Sequence, residues 1–225
     1  MRMQDIRRIL AACGALIGWF ALSLQLGLLI RVMTERGLTI ADALIVYFGF
    51  FTVLTNILVA LVLSATVVRP LGPGLLTQPR LQSAVAVYIA MTGLIYSLLL
   101  RRVLAPQSPQ FLVETLLHDV IPPLYVLFWA AFVPKGMLRW GDAFKWLVYP
   151  AGYFVYILGR GALIGRYPYP FLDAHALGAA RLAGNAALLL AAFLAAGLIC
   201  VAIDRALSRL SVSASASPAR RSASG

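Results

Sequence analysis

Residues Phe111–Val133 read FLVETLLHDVIPPLYVLFWAAFV, and the reading of this stretch decides the fold. Its uncharged part, Val120–Val133, is too short to cross a bilayer, which needs ~20 predominantly apolar residues. Taken together with Glu114, His118 and Asp119, it reaches full length. If those charges are accepted inside the membrane, the chain has six spans. If they are refused, it has four spans and two re-entrant segments. Four other runs need no such concession: Ile9–Ile30, Ala43–Val68, Leu81–Leu100 and Leu182–Ile203 are uncharged. A fifth segment, about Ala143 to Ile164, crosses only by accepting Lys145 near one end and Arg160 near the other. Six spans is the consistent choice, because the two polar stretches then match the other four in length.

Composition supports this. Hydrophobic residues make up 61% of the 225-residue chain and charged residues 12%, far from the balance of a soluble domain. The net charge is +11, and its distribution explains it without a nucleic-acid partner. With the N-terminus inside, 12 of the 19 Lys and Arg lie on the inner side and 7 on the outer side. That bias puts both termini in the cytoplasm. The basic start, Met1–Arg8, leads into a run too long for a signal-peptide core, so it reads as an uncleaved first helix.

The sequence therefore predicts an all-α integral membrane bundle of six transmembrane helices. A single domain covers residues 1–210, followed by a disordered cytoplasmic tail over 211–225 that is rich in Ser, Ala and Arg. Turn residues mark short loops at Arg69–Gly74, Pro106–Pro109 and Pro134–Gly136. Cys13 and Cys200 form no disulfide framework and are expected to pack. No internal repeat marks an inverted-repeat transporter. The chain's two histidines and its lack of a paired-cysteine motif give no metal site, and no cofactor motif is present.

Ionisable groups within lipid are costly and commonly mark a site. Here they gather toward the outer end of the bundle. At 1.5 Å per residue, Thr52 lies ~14 Å and His118 ~10 Å from the outer ends of their helices, so the two can share a level. Glu114 and His118, spaced i, i+4, share a face, and a carboxylate there can fix the imidazole tautomer. Asp119 is a second candidate for that role. Pro122-Pro123 disturbs the helix one turn later. On the fifth helix Tyr149, Tyr153, Tyr156 and Arg160 form one stripe, either a polar groove for a substrate head or interhelical packing. Arg181 and Asn185 repeat the i, i+4 spacing on the sixth helix. Between the two helices, Tyr167-Pro168-Tyr169-Pro170-Phe171-Leu172-Asp173 is a rigid segment that could cover a site, while the neighbouring His175 is expected to be solvated.

Three of these motifs carry a resemblance: Phe51-Thr52-Val53-Leu54-Thr55-Asn56, His118-Asp119-Val120-Ile121-Pro122-Pro123 and Tyr167–Asp173. Across about Ile9 to Arg205 the chain resembles the Pr6Pr family of bacterial membrane proteins. That family is similar in turn to the eukaryotic androgen-induced and androgen-dependent multi-pass proteins. The resemblance implies a multi-pass protein of the bacterial inner membrane. It also implies a hydrolase of lipid esters, of the type in which a fatty acid is esterified to a hydroxy fatty acid. By the same resemblance, Thr52 matches the nucleophile and His118 the essential histidine, although Asp119 directly after His118 and the neighbouring Thr55 depart from the pattern.

A threonine hydroxyl needs a base within hydrogen-bond reach and an oxyanion needs donors. Asn56, Asn185 or a tyrosine of the fifth helix could supply those donors. Tyr153, Tyr156, Arg160, Tyr169 and Arg181 are the candidate substrate contacts. Membrane lipid is the expected partner, and the oligomeric state is left open. Two other classes compete: a non-catalytic binding or assembly protein tied together by the same cluster, and a small transporter or proton relay through Glu114, His118 and Asp119.

Overall fold

The structure is a computed structural model describing residues 2–69, 74–101 and 109–216, with side chains to residue 210. The turns expected at Pro70–Pro73 and Pro106–Ser108 lie outside the described residues. Among the described residues the protein is all-helical and has six helical segments long and apolar enough to cross a membrane. In chain order the helices are α1 (Met3–Glu35), α2 (Ile40–Tyr47), α3 (Phe51–Val68), α4 (Pro79–Ile95), α5 (Gln110–Thr115), α6 (Ile121–Phe132), α7 (Trp140–Trp146), α8 (Val148–Ile164) and α9 (Ala174–Ala216). The chain is a multi-pass membrane protein, and six spans leave both ends at the same face of the bundle.

Four expected spans are not continuous α-helices. The Ala43–Val68 run breaks at Phe48–Phe50 into α2 and α3, so Thr52 lies in the first turn of a new helix rather than nine residues along an unbroken one. The break leaves backbone groups that other helices must satisfy, and Gly49 stands at its centre. A Cβ on Gly49 would come within 2.9 Å of the Arg160 guanidinium carbon. The fourth span joins α5 to α6 through a π-helical stretch, Leu116–Val120, that contains His118. Pro122 and Pro123 cannot donate to the ladder just beyond it. A second π stretch, Tyr96–Leu100, ends α4. The fifth span turns at Leu147, between α7 and α8.

Two further expectations need correction. Helix α9 continues to Ala216, so the first residues of the expected disordered tail are helical, while residues 217–225 lie outside the described residues. Cys13 is exposed and only Cys200 is buried, so packing accounts for the second cysteine but not the first.

Small residues set the closest helix contacts, as expected where lipid removes the hydrophobic drive for association. Gly14 and Gly18 of α1 face Leu63 and Ala60 of α3. Helix α4 occupies the middle, touching α3, α6, α7 and α9, and its Val85 and Ile89 are fully buried. Leu16, Val155, Leu163 and Leu188 are exposed along the outside, where a bilayer would solvate them.

At the end of the bundle carrying both termini, buried Asp204 accepts from the main-chain N–H groups of Gly136 (3.0 Å) and Leu138 (3.2 Å). This clamps the α6–α7 turn onto α9. At the other end, Asp173 accepts from the N–H groups of His175 and Ala176 and so starts α9. Gly178, with φ 72°, then redirects the helix.

Candidate active site

The break before α3, the two π stretches and the Tyr167–Asp173 segment meet at one place. The Thr52 hydroxyl lies 3.2 Å from His118 Nε2. His118 Nδ1 lies 3.1 Å from the Glu114 main-chain carbonyl and 3.0 Å from the Glu114 carboxylate. Both neighbours of Nδ1 are acceptors, so in the neutral imidazole that nitrogen carries the proton. Nε2 then holds the lone pair, and the Thr52 hydroxyl donates to it. Hydroxyl, imidazole and carboxylate thus stand in the order that activates an alcohol nucleophile.

His118 is only 8% exposed, and its surroundings fix it on several sides. Tyr96 stacks on its ring at 3.8 Å between centroids, with 11° between the planes. Arg101 lies over the other ring of that stack, 5.2 Å from the Tyr96 centroid. The Glu114 carboxylate is held by Gln110, whose side-chain amide donates to Glu114 (2.9 Å) and to Gln25 on α1 (3.0 Å). Asp119 pairs with Arg101 instead and lines neither cavity at the site. The carboxylate beside His118 is therefore Glu114, not Asp119.

The two threonines differ in their surroundings. Thr55 is fully buried and shares its hydroxyl with Tyr149 at 3.1 Å. Thr52 lines two cavities, of about 40 Å³ and about 110 Å³, and Tyr96, Leu100 and Tyr169 line both with it. The smaller hollow is walled by apolar groups such as Ile95, Leu189 and Phe193. The larger one includes His118, Glu114 and Gln25.

The tyrosine stripe of α8 serves the break. Tyr156 donates to the Phe48 carbonyl (3.3 Å) and Tyr153 to the Gly49 carbonyl (2.8 Å), while Arg160 packs on Gly49. Phe50, at the start of α3, offers no side-chain cap. The cap comes from across the loop, where the Tyr169 hydroxyl accepts from the Phe51 N–H at 3.1 Å. That hydroxyl also interacts with the Thr52 and Tyr153 side chains, and burial raises it above its ordinary pKa, keeping its proton in place. The Thr52 and Val53 N–H groups belong to the first turn, whose donors have no intrahelical acceptor.

Other candidate residues have structural partners. Asn56 donates to the Thr52 carbonyl (2.9 Å) and to the Leu117 carbonyl (3.4 Å), tying α3 to the π stretch beside His118. Its amide is thus committed to positioning and is not an oxyanion donor. Asn185 donates to the Phe171 carbonyl at 3.0 Å and fixes the covering segment. Arg181 is exposed and lines neither cavity.

Tyr96, Gln110 and Gln25 escape sequence reasoning, because an aromatic or amide on an apolar helix carries no periodic signal. The His118–Tyr96 stack depends on π stretches that hydropathy does not encode. No group of three or more His, Cys, Asp or Glu among the described residues could hold a metal ion. No protein family, curated protein or solved structure matches this chain.

Proposed function

We propose that this protein is a membrane-embedded hydrolase of lipid esters, with Thr52 as nucleophile, His118 as general base and Glu114 as the group that orients His118. The observation that carries this assignment is the continuous Thr52–His118–Glu114 contact, with separations of 3.2 and 3.0 Å, at the wall of a cavity. The resemblance to the Pr6Pr proteins and their eukaryotic relatives points to the same pair and to a bacterial inner membrane, and the Lys and Arg bias favours both termini in the cytoplasm.

In this reading the reaction has two halves, acylation of Thr52 and hydrolysis of the acyl-threonine. The Thr52 oxygen attacks the ester carbonyl while its proton passes to His118 Nε2. Negative charge collects on the carbonyl oxygen, where the first-turn N–H groups of α3 and the Tyr169 hydroxyl can receive it. The positive end of the helix dipole lies at the same spot. Collapse breaks the bond to the alcohol oxygen, which leaves with the proton from His118. Water then attacks the acyl-threonine, His118 takes its proton, and the acid departs as Thr52 recovers its hydrogen. Glu114 keeps Nδ1–H in place throughout and stabilises the imidazolium that forms twice.

The test is hydrolysis of a panel of long-chain lipid esters by purified protein, including fatty acids esterified to hydroxy fatty acids. Wild type is run beside folded Thr52→Ala, His118→Ala and Thr55→Ala. Turnover lost in the first two and kept in the third supports the assignment. Turnover that survives Thr52→Ala refutes it. A binding or assembly protein would instead lose stability in Thr52→Ala and show no turnover in any sample.

A further inference from the structure

Tyr153 is shared between the small Thr52 cavity and a much larger hollow of about 760 Å³ that runs between α3, α4, α7 and α8. Its walls are mostly apolar, with Leu54, Leu58 and Leu81 among them, and its charged residues are Arg80, Asp142 and Lys145. All three lie near the end of the bundle that carries the termini: Arg80 in the first turn of α4, and Asp142 and Lys145 on α7. Apolar walls of this extent suit a hydrocarbon chain, and the charges at this end would select its head group.

That end of the hollow is positive. The Asp142 carboxylate is already engaged, accepting from the Arg139 N–H at 2.8 Å and pairing with Arg80 Nε at 3.5 Å. Lys145 is exposed and, among the described residues, has no carboxylate within ion-pair distance. Two cations and one anion leave a net positive charge where a phosphate would lie. Basic pockets between helices on the cytoplasmic side suit anionic lipid head groups.

We propose that this groove is a binding site for an anionic phospholipid, with one acyl chain between α3 and α8 and the phosphate against Lys145 and Arg80. The site is separate from the Thr52–His118 pair and does not depend on hydrolysis. Gly152 lines the groove, and a Cβ placed on it would meet nothing within 4 Å. A leucine there starts its side chain in open space and narrows the groove.

Native mass spectrometry of the purified protein, with equal amounts of phosphatidylglycerol and phosphatidylcholine of matched chains, tests the proposal. Wild type retains phosphatidylglycerol in preference. Lys145→Gln loses about fivefold of that preference, the effect of one cation near a head group. Gly152→Leu retains less of both lipids. Equal retention of the two lipids by wild type overturns the proposal. So does an unchanged preference in Lys145→Gln, or undiminished binding in folded Gly152→Leu.

Discussion

At the scale of single residues, the proposed site is a hydroxyl, an imidazole and a carboxylate in contact: Thr52, His118 and Glu114. Glu114→Gln keeps the volume and removes the charge that steadies the imidazolium, so turnover is expected to fall ~10²–10⁴-fold, a loss of the size that general-base support contributes. Steady-state kinetics on the best ester substrate would show the loss in kcat. Asp119→Asn, by contrast, disrupts the pair with Arg101 and should change turnover little. Tyr169→Phe removes a hydroxyl that both caps α3 and faces Thr52. The expected fall is ~10²–10³-fold, as for loss of one oxyanion donor. The Glu114–His118 spacing was legible in the sequence because i, i+4 residues of a helix share a face. The stack on Tyr96 was not, since it joins residues 96 and 118 through two irregular turns.

At the scale of elements, the site exists because helices are interrupted where ordinary packing would keep them whole. The break at Phe48–Phe50 gives Thr52 a helix N-terminus, and α8 stabilises that break with two tyrosine hydroxyls and Arg160. Tyr153→Phe leaves the Gly49 carbonyl without its donor in a buried setting, at a cost of ~1–3 kcal/mol. Thermal unfolding in detergent should show the lower midpoint, with turnover falling as Thr52 loses its register. The covering segment is equally exacting, because a Cβ on Gly161 would lie 2.0 Å from the Tyr167 ring. Gly161→Ala therefore displaces Tyr167, and limited proteolysis between Gly165 and Asp173 should become faster than in wild type. Hydropathy found this helix and its tyrosine stripe but left the stripe's role open between substrate groove and packing. The hydroxyl partners of Tyr153 and Tyr156 are main-chain carbonyls of a break that the uncharged run Ala43–Val68 conceals.

At the scale of the whole molecule, the Thr52–His118 contact and the Asp204 clamp occupy opposite ends. Asp204 holds the α6–α7 turn at the end with the termini, far along the bundle from Thr52. Asp204→Ala orphans two main-chain N–H groups, each worth ~1–3 kcal/mol. The melting temperature should drop while turnover per folded molecule stays near wild type, so one substitution separates stability from the site. The six-span architecture was readable almost entirely from hydropathy, because length and apolarity are what a bilayer demands. Even the fourth span, with its three ionisable residues, was correctly counted. What lay beyond reach was the set of interruptions, which depend on contacts between helices distant in sequence.

The most direct test of the central claim is the mass of the protein after exposure to a lipophilic organophosphonate, followed by peptide mapping. A nucleophilic Thr52 supported by His118 yields one covalent adduct on Thr52, abolished in folded Thr52→Ala and strongly slowed in His118→Ala. An adduct on Thr55 or another hydroxyl, or equal labelling of wild type and His118→Ala, would contradict the account.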